Sequence, residues 1–403
     1  MSMMDNATWF YFADNSNTLS YTRDLKGVAS SHVDDSVAAG NKQFINEVMA
    51  PMAAMLDYGA HSNLPATFLG LQLERGANGI TVSQDKYVKT MTNLDKSAVT
   101  SFKADALLPA HLQAIMRSKI CQVQQISVVS RPDLAYDCKA LSKRLGYATK
   151  SDYNKVYKLV QRLKESTTTM VFPDLGEWYN WVLFAHSDAS CKKESDAIDS
   201  CGAGAIILAN KKTGKGFPIS WRSGVLKRIA NSSMNAETQA AVDMTKDIAY
   251  TRAILEQMLG KKAKDIPCVL NIDCLDLFKS LHGLKPVSCK RMMVDIAELK
   301  QTYAQGEVIQ EIRHVPAEEM LADGLTKPGA KSDGLLHTLQ TGKFNPYGGW
   351  EVVPKQMAFE KLWVALPADK RSASLAAASA HITEQQPPRL NDAMIEDISW
   401  SGE

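Results

Sequence analysis

The chain has 403 residues, 45% of them hydrophobic, which excludes a single small domain and leaves ample material for roughly two to three cores. With 46 Lys and Arg against 44 Asp and Glu, the net charge of +2 excludes a globally basic nucleic-acid binder, so any such affinity must come from local patches. The seven cysteines (Cys121, Cys138, Cys191, Cys201, Cys268, Cys274 and Cys289) are scattered, with no Cys-x-x-Cys pair, which argues against a disulfide scaffold or a structural zinc site and fits a reducing compartment. The opening MSMMDNATWFYFADNS lacks a basic segment followed by an apolar one, and no run approaches the roughly 18 apolar residues of a membrane span. A soluble cytoplasmic protein without a membrane partner is expected, the nucleus being an alternative.

In chain order, Lys26–Val33 and Ser36–Ala39 pattern as strands, and Asn41–Leu56 as a helix with Phe44, Val48, Met52 and Met55 on one face. Phe68–Leu73 and Ile80–Val82 read as a hairpin across Asn78-Gly79. Residues 111–170 are helical in pattern (Gln113–Val129, Ala135–Leu145, Ser151–Lys164), broken at Pro132 and at Ala148-Thr149. From Trp178 the pattern changes to a three-strand meander, Trp181–Asp188, Gly202–Leu208 and Gly216–Trp221. A long helix Asn235–Leu259 follows, with Ala241, Met244, Ile248, Leu255, Met258 and Leu259 as its apolar stripe. Then come a strand Cys268–Asp273, a helix Lys290–Ala304, a strand Glu307–Val315 and a helix Ala317–Lys327. The order β-β-β-α-β-α-β-α predicts a mixed sheet packed by helices. Trp350, Phe359 and Trp363 suggest that 331–366 packs, whereas 367–403, with SASLAAASA and EQQPPRLNDA, reads as a disordered tail.

Four carboxylates fall where such a sheet can gather them: Asp188 and Asp273 at strand ends, Glu237 early in the long helix, and Asp323 on the last helix. Taken singly, each reads as a turn former or a helix-dipole partner. Together they would repel unless cations neutralise them, which points to hard divalent ions, Mg2+ first, with Mn2+ as a substitute. Two such ions can activate water and stabilise a leaving oxygen in phosphodiester hydrolysis.

The motifs FAHSDAS around Asp188, ISWRS at 219–223, IANSSMNAETQAA around Glu237, LNIDCLDL around Asp273 and IRHVPAEEMLADGLTKP around Asp323 resemble the ribonuclease H domain of Ty1/copia-type retrotransposon Pol polyproteins. The resemblance implies an α/β (α+β) fold with a ribonuclease H-like mixed five-stranded sheet over 178–330. It also implies two metal ions held by Asp188, Glu237, Asp273 and Asp323, and cleavage of the RNA strand of an RNA/DNA hybrid. Such a protein works in the cytoplasm, the nucleus or retrotransposon particles and needs no small-molecule cofactor. His314 corresponds to a histidine that moves protons or helps product leave in the wider group, a task suited to a pKa near 6.5. One departure is the run Ser223-Gly224-Val225-Leu226-Lys227-Arg228, where many copia-type sequences carry Gln after Ser-Lys-Lys.

Upstream, GVASSHVDDSVAAG places Asp34 and Asp35 at a hairpin tip resembling the catalytic turn of reverse transcriptases, with His32 replacing the usual aromatic residue. FLGLQLERGANGITVSQDKYVKTM at 68–91 and SRPDLAYDCKALSKRL at 130–145 resemble the copia-type segments that follow, in the same order. By this resemblance 1–110 is the C-terminal part of a reverse transcriptase palm and 111–177 a helical thumb or connection. Polymerase chemistry needs a third carboxylate, and Asp5 and Asp14 lie in no matching context. Asp34 and Asp35 are therefore expected to be remnants, and the chain alone is expected not to polymerise DNA.

Basic residues cluster at Lys211, Lys212 and Lys215, at Arg222, Lys227 and Arg228, and at Lys261, Lys262 and Lys264. Lys211, Lys212, Arg222, Ser223, Lys227 and Arg228 are the expected hybrid contacts. The alternative to a nuclease is a non-catalytic nucleic-acid-binding remnant. A transposase or integrase core ranks lower, because there the glutamate normally comes last among the acidic ligands, whereas Glu237 comes second.

Overall fold

The computed structural model describes residues 7–12, 25–33, 35–56, 62–191, 200–283, 287, 289–329, 332–344 and 351–352. The first sheet is antiparallel, in the order β1 (Thr8–Phe12), β2 (Leu25–His32) and β3 (Asp35–Gly40). His32, in the motif SSHVDDS, pairs with Asp35 at the end of the β2–β3 ladder. Asp35 is exposed, and Asp34 lies outside the described residues.

The helix expected over 41–56 is interrupted: α1 (Lys42–Phe44), capped by the Asn41 side chain, leads through a π-turn, Ile45–Met49, into α2 (Ala50–Met55). Pro51 explains the break, since it has no N–H to donate and its ring crowds the preceding turn. The register of the apolar stripe is lost with it, leaving Met55 79% exposed.

A second sheet contains β4 (Ala66–Phe68), β5 (Leu71–Gly76) and β6 (Gly79–Ser83). The strand expected over 68–73 is split by a tight turn at Leu69-Gly70, both with positive φ, as the hairpin turn that matches strand twist requires. Gly76 pairs with Gly79, so the next turn residues are Ala77-Asn78. The helical layer comprises α3 (Asp85–Thr90), α4 (Ala110–Val129), α5 (Ala135–Ser142) and α6 (Lys150–Glu165), packed around Met116, Ile120, Val123, Ile126, Val156 and Val160. Arg131, in the motif SRPDLAYD, is buried and donates to the carbonyls of Leu163 and Ser166, closing the end of α6. This layer is not purely helical: β7 (Thr169–Pro173) returns to pair with β6 as the fourth strand of the second sheet.

The third sheet has the order β10-β9-β8-β11-β12-β13. Its members are β8 (Trp181–Ser190), β9 (Cys201–Asn210), β10 (Gly216–Val225), β11 (Cys268–Ile272), β12 (Glu311–His314) and β13 (Glu351–Val352). The meander β8–β10 is antiparallel, β11 runs parallel to β8 and β12 parallel to β11. The mixed five-stranded sheet of the ribonuclease H-like expectation is thus present, extended by the two residues of β13. β9 is buried at every position because both faces are covered, which is why its sequence shows no polar alternation.

One face carries α7 (Ser233–Leu259), α8 (Leu275–His282) and α9 (Lys290–Gln305), with Leu183, Ala185, Ile206 and Leu208 meeting Met244, Ile248 and Leu299. Buried Arg252 on α7 donates to the carbonyls of Val308 and Ile266 at 2.9 Å each, fastening the far end of this layer. The opposite face, with Val182, Phe184, Ala205 and Ile207, is covered by Ala135 of α5, by Leu325, and by Leu335 of α10 (Asp333–Thr341) with Phe344. The helix expected over 317–327 is replaced by two 3-10 turns, Ala317–Glu319 and Asp323–Leu325. Of the extension expected to pack over 331–366, α10 and Phe344 are described, whereas Trp350, Phe359, Trp363 and 367–403 fall outside the described residues. Among the described residues no helix is long and apolar enough to cross a membrane.

Leu335 is fully buried, so Leu335→Ala is expected to cost about 2–4 kcal/mol in chemical denaturation. A loss below about 0.5 kcal/mol would mean that α10 does not cover this face.

Candidate active site

Register alone brings two of the acids together. Ile272 pairs with Ser187 in the parallel β8–β11 ladder, so the next residues, Asp188 and Asp273, stand side by side at the carboxyl ends of adjacent strands. Glu237 arrives from α7, whose start is fixed by the Ser232 side chain accepting from the Asn235 N–H at 3.1 Å. Carboxylate oxygens of Asp188, Glu237 and Asp273 lie within 4.8 Å of one another. All three donors are hard oxygens, the set that suits Mg2+ or Mn2+.

Asp323 stands beside this group, not in it. Its 3-10 turn is tied to the sheet by three side chains: Ser190 Oγ donates to the Thr326 carbonyl at 2.8 Å, Ser223 Oγ donates to the Leu325 carbonyl at 2.6 Å, and the Thr326 hydroxyl donates to Asp188. Lys327 forms an ion pair with Asp323. His314 sets Nε2 3.1 Å from the Asp273 carbonyl, with its ring 5.7 Å from that of Phe278. It therefore holds the backbone that carries Asp273.

The expected nucleic-acid contacts divide by position. In the antiparallel pairing Trp181 faces Asn210, whereas Ser190 faces Cys201, so the turn with Lys211 and Lys212 caps the end of the sheet remote from Asp188. Seven residues of strand separate the two ends, about 24 Å. Arg222 pairs with Asp247 and Asp243 of α7, and Arg228 with Asp295 of α9. Ser223, level with Asp188 through Ala203, spends its hydroxyl on the Leu325 carbonyl. Lys227 is exposed and follows the end of β10 that is level with Ser190, the same end of the sheet as Asp188. Lys261 and Lys262 have no described side chains.

The missed residues are Thr326 and Lys327, which orient or neutralise the acids; only their place in the motif LADGLTK signals them. His186, two residues before Asp188, is fully buried against Asn271 at 3.1 Å, and burial pushes its pKa down to about 3, keeping it neutral.

Burial dominates the electrostatics. Asp188 is 1% and Glu237 7% exposed, so their charged forms are poorly solvated. Burial, then the charges of Asp188 and Asp273, push Glu237 up to about 10. Burial and the Asp188 charge raise Asp273 to about 6, and burial raises Asp188 in spite of the Thr326 hydrogen bond and Lys327.

Carboxylates with raised folded-state pKa keep protons that the unfolded chain loses, so stability is present at pH 4 and falls as pH rises through 6 and beyond. The melting temperature of chelator-treated protein is expected to drop between pH 5 and 8, and Mg2+ to reverse the drop. Glu237→Gln should flatten the chelator-treated profile. A flat wild-type profile would show that the three acids are not coupled.

No known protein family profile matches the chain. Among curated proteins it is similar to the retrovirus-related Pol polyproteins from transposons RE2 and RE1 of Arabidopsis thaliana. Identity is 23% over 312 and 23% over 316 residues, in each case 74% of this chain and 20% of the relative. The chain thus spans about one fifth of the length of these relatives. Among solved structures it is similar to LC11-RNase H1 isolated from compost, alone and in complex with an RNA/DNA hybrid. Identities are 16% and 15%, coverage is 36% of this chain and 91% and 92% of the other, and the TM-score is 0.27 in both cases. The chain is thus similar in sequence to retrotransposon Pol polyproteins over 74% of its length, and its third sheet has the mixed strand order and directions described above.

Proposed function

We propose that residues 178–330 form an endoribonuclease that cuts the RNA strand of RNA/DNA hybrids. The observation that carries this reading is the convergence of Asp188, Glu237 and Asp273 from two strand ends and one helix, the first two buried and the third half-buried. A divalent cation held by these three, with Asp323 available to a second, would supply charge neutralisation, an activated water and a stabilised leaving oxygen.

The chain's own groups have distinct tasks. Asp188 is oriented by the Thr326 hydroxyl, and Asp273 by the strand register and by His314 on its carbonyl. With Nε2 donating to that carbonyl, Nδ1 of His314 is the nitrogen that can accept a proton during turnover. Lys227 is the exposed cation placed to meet a phosphate near the acids, and RNA would be told from DNA by its 2′-hydroxyls in the shallow groove of the hybrid. Residues 1–110 and 111–177 are assigned to the palm and connection of a reverse transcriptase, on the β2–β3 hairpin and its motifs; in this reading Asp34 and Asp35 mark its catalytic turn.

The test is Mg2+-dependent cleavage of a labelled hybrid. Wild-type protein is expected to cut the RNA strand, and Asp188→Asn to lose about 1,000-fold or more in rate, as expected when a group stabilising transition-state charge is removed. Equal inertness of both proteins, with hybrid still bound, would favour the non-catalytic binding reading instead.

A further inference from the structure

The fourth carboxylate is already partnered. Asp323 Oδ1 accepts a charged hydrogen bond from Lys327 Nζ, four residues on, and Lys327 is 47% exposed. The two side chains leave one short turn whose backbone is fixed by Ser190 and Ser223. Lys327 thus brings a positive charge to the edge of the acidic group on a flexible stem. An ammonium donates hydrogen bonds only and cannot share an oxygen lone pair with a metal ion.

We propose that Lys327 is a tethered counter-ion, which neutralises the Asp323 side of the site in the metal-free protein and swings away when a second divalent cation binds there. This rests on the two-cation reading given above. Its consequence is order: the Asp188–Glu237–Asp273 position fills first, and Asp323 becomes a ligand only after Lys327 has left it.

The experiment compares the full chain with Lys327→Met, which keeps the stem, and Lys327→Arg, which keeps the charge. Mn2+ binding is read by calorimetry and by the electron paramagnetic resonance of free Mn2+, and melting temperature is read with chelator and with saturating Mn2+. Lys327→Met is expected to melt lower with chelator, to match wild type when saturated, and to bind the second ion about tenfold tighter, the effect of removing one like charge at a half-exposed position. Lys327→Arg should behave as wild type. A melting difference of equal size with and without Mn2+ would mark a purely structural ion pair and overturn the proposal, as would an unchanged second affinity. Absence of Mn2+ binding to all three proteins would instead remove the metal-dependent nuclease reading, and this inference with it.

Discussion

Crowding of three carboxyl groups, Asp188 and Glu237 buried and Asp273 half-buried, is the constraint on which the rest of this structure depends. Asp188 and Asp273 are neighbours because β8 and β11 run parallel in one register, and a slip of one residue would turn one of them to the opposite face. Glu237 joins them because α7 packs on the sheet through Met244 and Ile248. The apolar core on that face therefore supplies the free energy that holds the three acids together, and their crowding is relieved by the protons that Glu237 and Asp273 keep.

The turn carrying Asp323 shows how little regular structure is needed to place a charged group. A helix there would have aimed Asp323 and Lys327 by its own hydrogen bonds. In its place, hydroxyls from two strands of the sheet grip two consecutive carbonyls. The position of Asp323 is thus inherited from β8 and β10, the strand that holds Asp188 and the strand level with it. Four acids spread along the chain share one rigid reference.

Much of this was legible in the sequence because it is local or periodic. The three strands of the meander, the stripe of α7 and the acids at Asp188, Glu237 and Asp273 follow from short apolar runs bounded by turn residues, helical period and motif order. What was not legible depends on distant partners. β7 pairs with β6 across the whole helical layer, and nothing in TMVFP names that partner. The turn at Lys211-Lys212 reads as a basic patch, but only the β8–β9 register shows that it lies at the wrong end of the sheet to meet the acids. The helix expected over 317–327 fails for a local reason that was available: Pro316, Gly324 and Pro328 leave too short a stretch for helical bonds to accumulate.

The face of the third sheet opposite α7 is shared property. Trp221 on β10 donates its indole N–H to the Ser127 carbonyl of α4, and Leu339 of α10 sits with Val82 and Met170 of the second sheet. The segment after the acidic site thus closes over elements that precede it, and the third sheet borrows part of its cover from the second sheet and the helical layer. Cut out at its motif boundaries, the segment 178–330 would present an oily patch to water and tend to self-associate.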